Sequence, residues 1–269
     1  MGKHAQLVIG PAGSGKSTFC TTIQEYCQLS HRTVHVVNLD PAAETFKYEP
    51  TLDIRDLVSL DDVMEELDLG PNGGLVYCME YLVQNIEWLE DELDGYGTDD
   101  YLIFDCPGQI ELYTHLPVFR QLVDVLKKWD YYVCCVNILD SQFVTEPSKF
   151  LSASLVSLSA MLMLELPHIN VLSKVDILKK QLPKKHRKRV LSRFLDMNVS
   201  QLLGEVDTTS LSVAIGSLLE DFNMVSFIPL DPTDVDSIAV LLRHIDMSIQ
   251  YGEDVEPTEP RDQDQGADD

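Results

Sequence analysis

One short segment near the start of the chain constrains the fold more than any other. Residues 10–17 read Gly-Pro-Ala-Gly-Ser-Gly-Lys-Ser, with an apolar run at residues 7–9 before them and a helical pattern from Ser17 to about Leu29 after them. Glycines let a backbone wrap closely around an anion, and the amides of such a loop and of the first helical turn converge on one point. The fit to G-x-x-x-x-G-K-[ST] predicts a phosphate-binding loop (P-loop) between a strand and a helix, with the phosphates held by Gly10, Gly13, Ser14, Gly15, Lys16, Ser17 and Thr18.

A strand–helix alternation continues through most of the chain. Strands are predicted at Gln6–Gly10, Thr33–Asp40, Tyr101–Pro107, Tyr131–Asp140, Ile169–Lys174 and Val225–Leu230. Several are continuous runs of Val, Ile, Leu and Cys, which are typical of strands covered on both faces. The pattern predicts an α/β fold of the P-loop NTPase type, with a mostly parallel, doubly wound sheet and helical insertions.

Two segments interrupt this alternation and a third ends it. Residues 50–100 hold two helical patterns, about Leu60–Leu69 and Leu75–Leu93, joined by residues 70–74. Residues 177–222 begin with basic side chains and then turn helical. Residues 252–269 are acidic and lack large apolar side chains, which favours disorder. We therefore predict one domain over residues 1–251 and a disordered acidic tail after it.

Composition limits the kinds of molecule that this chain is expected to bind. The formal net charge of −24 at pH 7 over 269 residues repels a nucleic-acid backbone, so no direct nucleic-acid binding is expected. Without an apolar run of about 18 residues or room for a signal peptide before the first strand, we expect an intracellular protein that does not enter a membrane.

The six cysteines lack C-x-x-C spacing and lie in apolar patterns, which predicts small buried side chains rather than a disulfide or zinc framework.

The strand Tyr101–Asp105 ends in a second motif, Asp-Cys-Pro-Gly-Gln, which resembles the switch II motif of GTPases. Ligands bind at the carboxyl ends of strands in doubly wound sheets. There Asp105 and the Ser17 hydroxyl would hold Mg²⁺, and the Gly108 amide would contact a γ-phosphate. The alternative is that Asp105 only caps the next helix.

A third motif, Ser173-Lys174-Val175-Asp176, resembles the [NT]-K-x-D guanine-specificity motif of GTPases. Asp176 would accept hydrogen bonds from the N1–H and exocyclic amine of guanine, a donor pair that adenine lacks, and the Lys174 stem would lie along the base. Ser173 replaces the usual Asn or Thr but keeps a hydroxyl. The predicted ligand is therefore GTP or GDP with Mg²⁺, and the alternative is an exposed Lys-x-Asp turn.

The second strand closes on Asp40-Pro41, where the chain turns away from the sheet. Asp40 would then lie near Mg²⁺ or an attacking water. The alternative is an Asp-Pro turn with no further role.

Taken together, these motifs resemble the GPN-loop GTPase family, whose name describes the triplet Gly70-Pro71-Asn72 in the first insertion. The resemblance extends to about Gly252 and is closest to the third eukaryotic branch of the family. By itself the triplet is only a turn; the family gives it a function.

The resemblance implies a constitutive dimer in which Asn72 of one subunit acts in trans near the γ-phosphate of the other. It also implies a heterodimer with a paralogous GPN-loop GTPase, with a homodimer as the alternative. Family members resemble factors for assembly and nuclear import of RNA polymerase II, so RNA polymerase II subunits are expected partners. A cytoplasmic protein that shuttles to the nucleus is the corresponding expectation.

The expected reaction is hydrolysis of GTP by in-line attack of water on the γ-phosphate. Lys16 and the P-loop amides would neutralise developing charge, and Asp40, Gln109 and Glu111 are candidates to orient the water, with Asn72 completing the site. No sequence motif marks an arginine finger, which contributes about 10³–10⁵ in rate where present, so slow turnover is expected.

Two other functions fit parts of the sequence. A nucleotide-dependent binding scaffold would need little or no turnover, and a small-molecule kinase shares the P-loop but not the Asp105 and Asp176 motifs. The basic segment 179–189 carries seven of the chain's 20 Lys and Arg residues. It is a solvated helix face, a contact for an acidic surface or the acidic tail, or a nuclear-localisation signal.

Overall fold

The fold is built on a single parallel sheet. The computed structural model describes residues 2–98, 100–181, 214–215, 217–218 and 225–252. Within them the strands are β1 (Lys3–Ile9), β2 (Val34–Asn38), β3 (Leu52–Asp53), β4 (Tyr101–Asp105), β5 (Tyr131–Asp140), β6 (His168–Ser173) and β7 (Phe227–Pro229). They lie in the order β3-β2-β4-β1-β5-β6-β7 and every neighbouring pair is parallel. The predicted parallel sheet is confirmed.

Helices connect these strands and cover the sheet. They are α1 (Lys16–Leu29), α2 (Leu60–Leu67), α3 (Pro71–Gln84), α4 (Ile86–Leu93), α5 (Glu111–Thr114), α6 (Val118–Lys128), α7 (Pro147–Leu164), α8 (Val175–Gln181) and α9 (Val235–Ser248). Among the residues that the structure describes, 3₁₀ turns lie at Ile54–Asp56 and Ser141–Thr145.

Side chains of the central strands alternate between two hydrophobic cores. On β1, Leu7 and Ile9 belong to the core that includes Met79 of α3 and Leu122 of α6. Val8 belongs to the opposite core, which is shared by α1 and α9. Helices therefore pack on both faces of the sheet, and the prediction of a doubly wound α/β fold is confirmed.

The helical insertion between β2 and β4 differs from its prediction. The single helix predicted over Leu75–Leu93 is two helices, because the chain breaks at Asn85, whose side chain donates to the Tyr81 carbonyl at 2.9 Å. The predicted Gly-Pro-Asn-Gly-Gly turn is the first turn of α3, with Gly70 as N-cap and Pro71 in the first turn of the helix, where a missing N–H costs nothing. The change of direction lies earlier, at Asp68, which is left-handed with φ 51°.

Gly74 explains why a glycine-rich stretch is helical here. A Cβ at Gly74 would lie 2.7 Å from Leu60 Cδ1 and 3.2 Å from Met64 Cγ, so its absence lets α2 approach α3 closely.

Strand β3 was not predicted, because two residues are too short to give a periodic signal.

The prediction that the cysteines are small buried side chains is confirmed. Cys20, Cys27, Cys78, Cys106, Cys134 and Cys135 are all buried and free. Most of the predicted 177–222 insertion, the basic segment from residue 182 onward and the acidic tail after Gly252 lie outside the described residues.

Helix α7 is long and apolar enough to cross a membrane, judged by length and composition alone. Eight of its 18 residues are buried, and Phe150, Leu151 and Leu158 belong to a third core shared with β6, α8 and β7. Core helices of globular domains meet the same criterion. In the fold described here, α7 packs against the sheet.

Candidate functional site

The P-loop joins β1 to α1 through glycines in conformations that other residues rarely adopt. Gly10, Gly13 and Gly15 have φ values of 141°, 74° and 101°. At Gly10 a Cβ would lie 2.3 Å from the Ile138 carbonyl oxygen of β5, so only glycine fits this corner. No side chain caps α1 at Gly15, which leaves the amides of its first turn available to an anion.

Lys16 is folded over the loop that it follows. The side chain is 7% exposed, and its Nζ lies 3.5 Å from the Pro11 carbonyl. Burial raises the pKa of two nearby carboxyls, Asp40 and Asp105, and the charge of Lys16 offsets part of that rise. A cation held at this point can stabilise phosphate oxygens, as the motif predicts.

Asp105 ends β4 beside the P-loop and is 3% exposed. Its Oδ2 accepts a hydrogen bond from the Tyr48 hydroxyl at 2.8 Å. Its Oδ1 is buried and has no hydrogen-bond partner among the described residues. Burial raises the pKa of Asp105 and outweighs the opposing effects of the nearby Ser17 hydroxyl, the Tyr48 hydrogen bond and the charge of Lys16.

Asp40 follows β2 and also faces this region. Its Oδ1 caps the turn by accepting from the Ala42 amide at 3.0 Å. Its backbone amide donates to Asn38 Oδ1 at 3.0 Å. Burial raises the pKa of Asp40, against the Ala42 amide and the charge of Lys16. The structure thus retains the Asp-Pro turn and also places its carboxylate in the cavity described below.

The turn after β4 packs directly on the P-loop. A Cβ at Gly108 would lie 2.8 Å from Ala12 Cα, so the two backbones touch. Gln109 is half-buried, and its Oε1 has no hydrogen-bond partner among the described residues. Glu111 is exposed at the first residue of α5.

A cavity of about 830 Å³ gathers these groups at the carboxyl edge of the sheet. Its lining includes most of the P-loop and the predicted residues Thr18, Asp40, Asn72, Gly108, Gln109, Glu111 and Lys174. Asp105 is not part of the lining. Among the described residues no arginine lines this cavity.

A second cavity, of about 270 Å³, adjoins the first and shares Gly15, Thr18 and Lys174 with it. Its wall is largely apolar, and Asp176 and Ser173 are its predicted polar residues; the lining also includes Phe19, Thr22, Lys47, Ile177, Leu230 and Pro232. A flat aromatic ring with polar edges suits a pocket of this kind.

The side chains of the third motif hold the second cavity to the P-loop. Ser173 Oγ lies 2.5 Å from the Ser14 carbonyl and 3.1 Å from the Leu139 carbonyl, so its hydroxyl can replace the usual Asn or Thr in bridging the two loops. Lys174 is left-handed with φ 57°, and its Nζ donates to Asp140 Oδ2 at 2.7 Å. Asp176 forms an ion pair of 3.8 Å with Lys180.

Comparisons with known proteins decide the family. A family model described as a conserved hypothetical ATP binding protein matches residues 8–251. GPN-loop GTPase 3 of Dictyostelium discoideum is 57% identical over 97% of this chain and 92% of its own length, and its counterpart in Danio rerio is 50% identical over 98% and 94%. The chain belongs to the GPN-loop GTPase family. The predicted family, and with it the predicted enzyme class of GTP hydrolase, is confirmed.

A solved structure supports the fold alone. A GTPase from Pyrococcus abyssi, determined in the apo form, superposes with a TM-score of 0.72 over 91% of this chain and 97% of that one, at 22% identity. The agreement confirms the P-loop α/β architecture.

The triplet that names the GPN-loop family lies at the edge of the first cavity. Gly70-Pro71-Asn72 begins α3, and Asn72 lines the cavity that holds this chain's own P-loop. The predicted role of Asn72 in a partner's site stays a prediction. The location of Asn72 shows that α3 begins at the same cavity as the P-loop.

Three residues of the site escaped sequence reasoning. Tyr48 binds Asp105 across 57 residues of sequence, and Asp140 binds Lys174 across 34. Lys47 lines the second cavity. Asp140 could have been found, because it ends a predicted strand as Asp40 and Asp105 do; Tyr48 and Lys47 lie in a segment without periodic signal.

Replacing Gly10 with alanine should destabilise the fold by at least about 2 kcal/mol, since the added Cβ meets a backbone carbonyl at 2.3 Å. Urea denaturation would measure the change. Gly95→Ala is the matched control, because nothing lies within 4 Å of a Cβ there. Equal unfolding free energies for the two variants would show that the P-loop corner relaxes freely.

Proposed function

We propose that this chain binds GTP with Mg²⁺ and hydrolyses it slowly to GDP. The observation that carries the proposal is the pair of adjoining cavities, one lined by the P-loop and one by Ser173, Lys174 and Asp176. Their shared wall supports a phosphate subsite in the first cavity beside a base subsite in the second. A purine nucleoside triphosphate would fit this arrangement, with its phosphates in the first cavity and its base in the second.

Base recognition is assigned to Asp176. The carboxylate would accept from the two N–H donors of guanine, and adenine would leave it without a matched partner. The apolar lining, including Phe19 and Leu230, would cover the faces of the ring. The Lys174 ammonium is fixed by Asp140, which leaves its aliphatic stem to lie along the base.

The phosphates are assigned to the P-loop. Backbone amides of residues 13–18 and the Lys16 ammonium would bind the β- and γ-phosphates and stabilise the charge that develops during hydrolysis. Gln109, Glu111 and Asp40 line the same cavity and can orient an attacking water. The unpartnered Gln109 Oε1 is an acceptor available for that water.

The residues present also fit a magnesium ion. Asp105 Oδ1 is a buried carboxylate oxygen without a partner among the described residues, and the Ser17 hydroxyl lies near enough to Asp105 to lower the pKa of that carboxyl against the larger effect of burial. Hydroxyl and carboxylate oxygens are the ligands that Mg²⁺ prefers. Burial raises the pKa of both Asp40 and Asp105, and a bound cation would reverse that shift. When bound, Mg²⁺ would neutralise charge on the β- and γ-phosphates.

Slow turnover is supported by the lining of the first cavity, which holds no arginine among the described residues. The alternative, a nucleotide-dependent scaffold with negligible turnover, rests on the same observation. A slow GTPase can act as a conformational timer, so the two functions differ in rate rather than in kind of site.

Lys16→Ala should abolish nucleotide binding, whereas Gln109→Leu should leave GTP bound and slow its hydrolysis. The first change removes the cation from the phosphate site, and the second removes a water acceptor. Isothermal titration calorimetry and a single-turnover phosphate-release assay would separate the two effects. Unchanged turnover in both variants would refute the assignment, and negligible wild-type turnover with tight binding would favour the scaffold.

Asp176→Ala should lower GTP affinity by at least about 100-fold and leave ATP affinity unchanged, because only guanine offers the donor pair. Competition between the two nucleotides against a fluorescent analogue would measure this. Glu44→Ala, an exposed carboxylate on another loop, is the control for loss of negative charge. Equal wild-type affinity for ATP and GTP would agree with the name of the matching family model and remove base recognition from the proposal.

The proposed biological role is that of a dimeric factor for assembly and nuclear import of RNA polymerase II. This role comes from the family resemblance, in which the chain pairs with a paralogous GPN-loop GTPase and moves between cytoplasm and nucleus. The strongly acidic surface is compatible with protein partners and disfavours nucleic acid.

Co-expression with a paralogous GPN-loop GTPase should give a complex of one copy of each chain by analytical ultracentrifugation, with a homodimer as the alternative result. Cells carrying Lys16→Ala should retain RNA polymerase II subunits in the cytoplasm, scored by immunofluorescence. A chain that stays monomeric with every paralogue, or a variant with normal polymerase localisation, would contradict this role.

A further inference from the structure

Tyr48 makes a contact that the proposed mechanism does not use. Its hydroxyl donates to Asp105 Oδ2 at 2.8 Å, and the two residues are only 6% and 3% exposed. Asp105 Oδ1, also buried, has no partner among the described residues. The phenol thus occupies one oxygen of the carboxylate and leaves the other for a ligand.

The phenol is itself held in place. Its ring belongs to the core cluster of α1 and β4, with Phe19 and Ile103 as members. The Phe46 ring packs beside it, with centroids 5.3 Å apart, and the Arg55 guanidinium lies 4.7 Å from the Phe46 centroid. Arg55 also donates to the Ala43 carbonyl at 2.8 Å, which fixes the backbone leading to Tyr48. A donor this constrained restricts rotation of the carboxylate.

We propose that Tyr48 is a positioning residue for magnesium, which holds the Asp105 carboxylate so that Oδ1 is directed to the ion. Partners that orient a metal-binding side chain typically account for about 10- to 100-fold in metal affinity. The inference rests on the proposed function, because it requires nucleotide binding that depends on Mg²⁺.

The test is Tyr48→Phe, which removes the hydroxyl and keeps the ring. Binding of a non-hydrolysable fluorescent GTP analogue is measured against free Mg²⁺ concentration and again in EDTA. The half-saturating Mg²⁺ concentration should rise about 10-fold, and nucleotide affinity in EDTA should not change. Tyr131→Phe is the matched control, because Tyr131 is also buried, lies at the amino end of β5, and its hydroxyl has no partner among the described residues.

A double-mutant cycle separates positioning from packing. In the Asp105→Asn background the oriented carboxylate is gone, so Tyr48→Phe should add no further change in Mg²⁺ half-saturation. An equal rise in both backgrounds, no rise at all, or an equal loss of affinity in EDTA would overturn the proposal. A wild-type protein that binds GTP without any dependence on Mg²⁺ would instead refute the magnesium part of the proposed function, and the inference with it.

Discussion

The nucleotide-facing edge depends on direct backbone contact between loops that follow different strands. Gly10 lies against the Ile138 carbonyl of β5, and Gly108 lies against Ala12. In a parallel sheet the strand ends meet at one edge, and only residues without a Cβ allow the loops there to approach this closely. The P-loop is therefore shaped by main-chain contacts that the ends of the parallel strands hold in place. The functional side chains are placed by the strand ends beneath it.

This constraint explains which parts of the molecule could be predicted from sequence. Central strands are covered on both faces, so they appear as apolar runs. The position of a residue at or just after a strand end, such as Asp105 or Asp40, is therefore predictable. The P-loop is predictable because its glycines and Lys16 are adjacent in sequence. The helical first turn at residues 71–74 was not predictable, because tertiary packing of α2 against α3 overrides the local preference of glycine. The break at Asn85 was not predictable either, because the apolar pattern continues across the position where the Asn85 side chain bonds to the Tyr81 carbonyl.

Contacts between segments that are distant in sequence were the second feature that the sequence could not predict. Tyr48 reaches Asp105 from a loop whose sequence shows neither strand nor helix periodicity. Nothing in the local pattern separates this tyrosine from one on the surface. The bridge from Ser173 to Ser14 spans 159 residues, and the sequence motif could indicate only that a hydroxyl was available for it. Motifs thus predict which chemistry is present, and the fold determines which groups meet.

The same loop that carries Tyr48 also connects the two cavities. Lys47 lines the pocket assigned to the base, and its neighbour Tyr48 binds the carboxylate assigned to magnesium. At the start of this loop the Asn38 side-chain amide donates to Asp53 Oδ1 at 2.9 Å, and in its middle the Ala43 carbonyl accepts from Arg55. A movement of the loop would therefore alter both the wall of the second cavity and the hydrogen bond that holds Asp105.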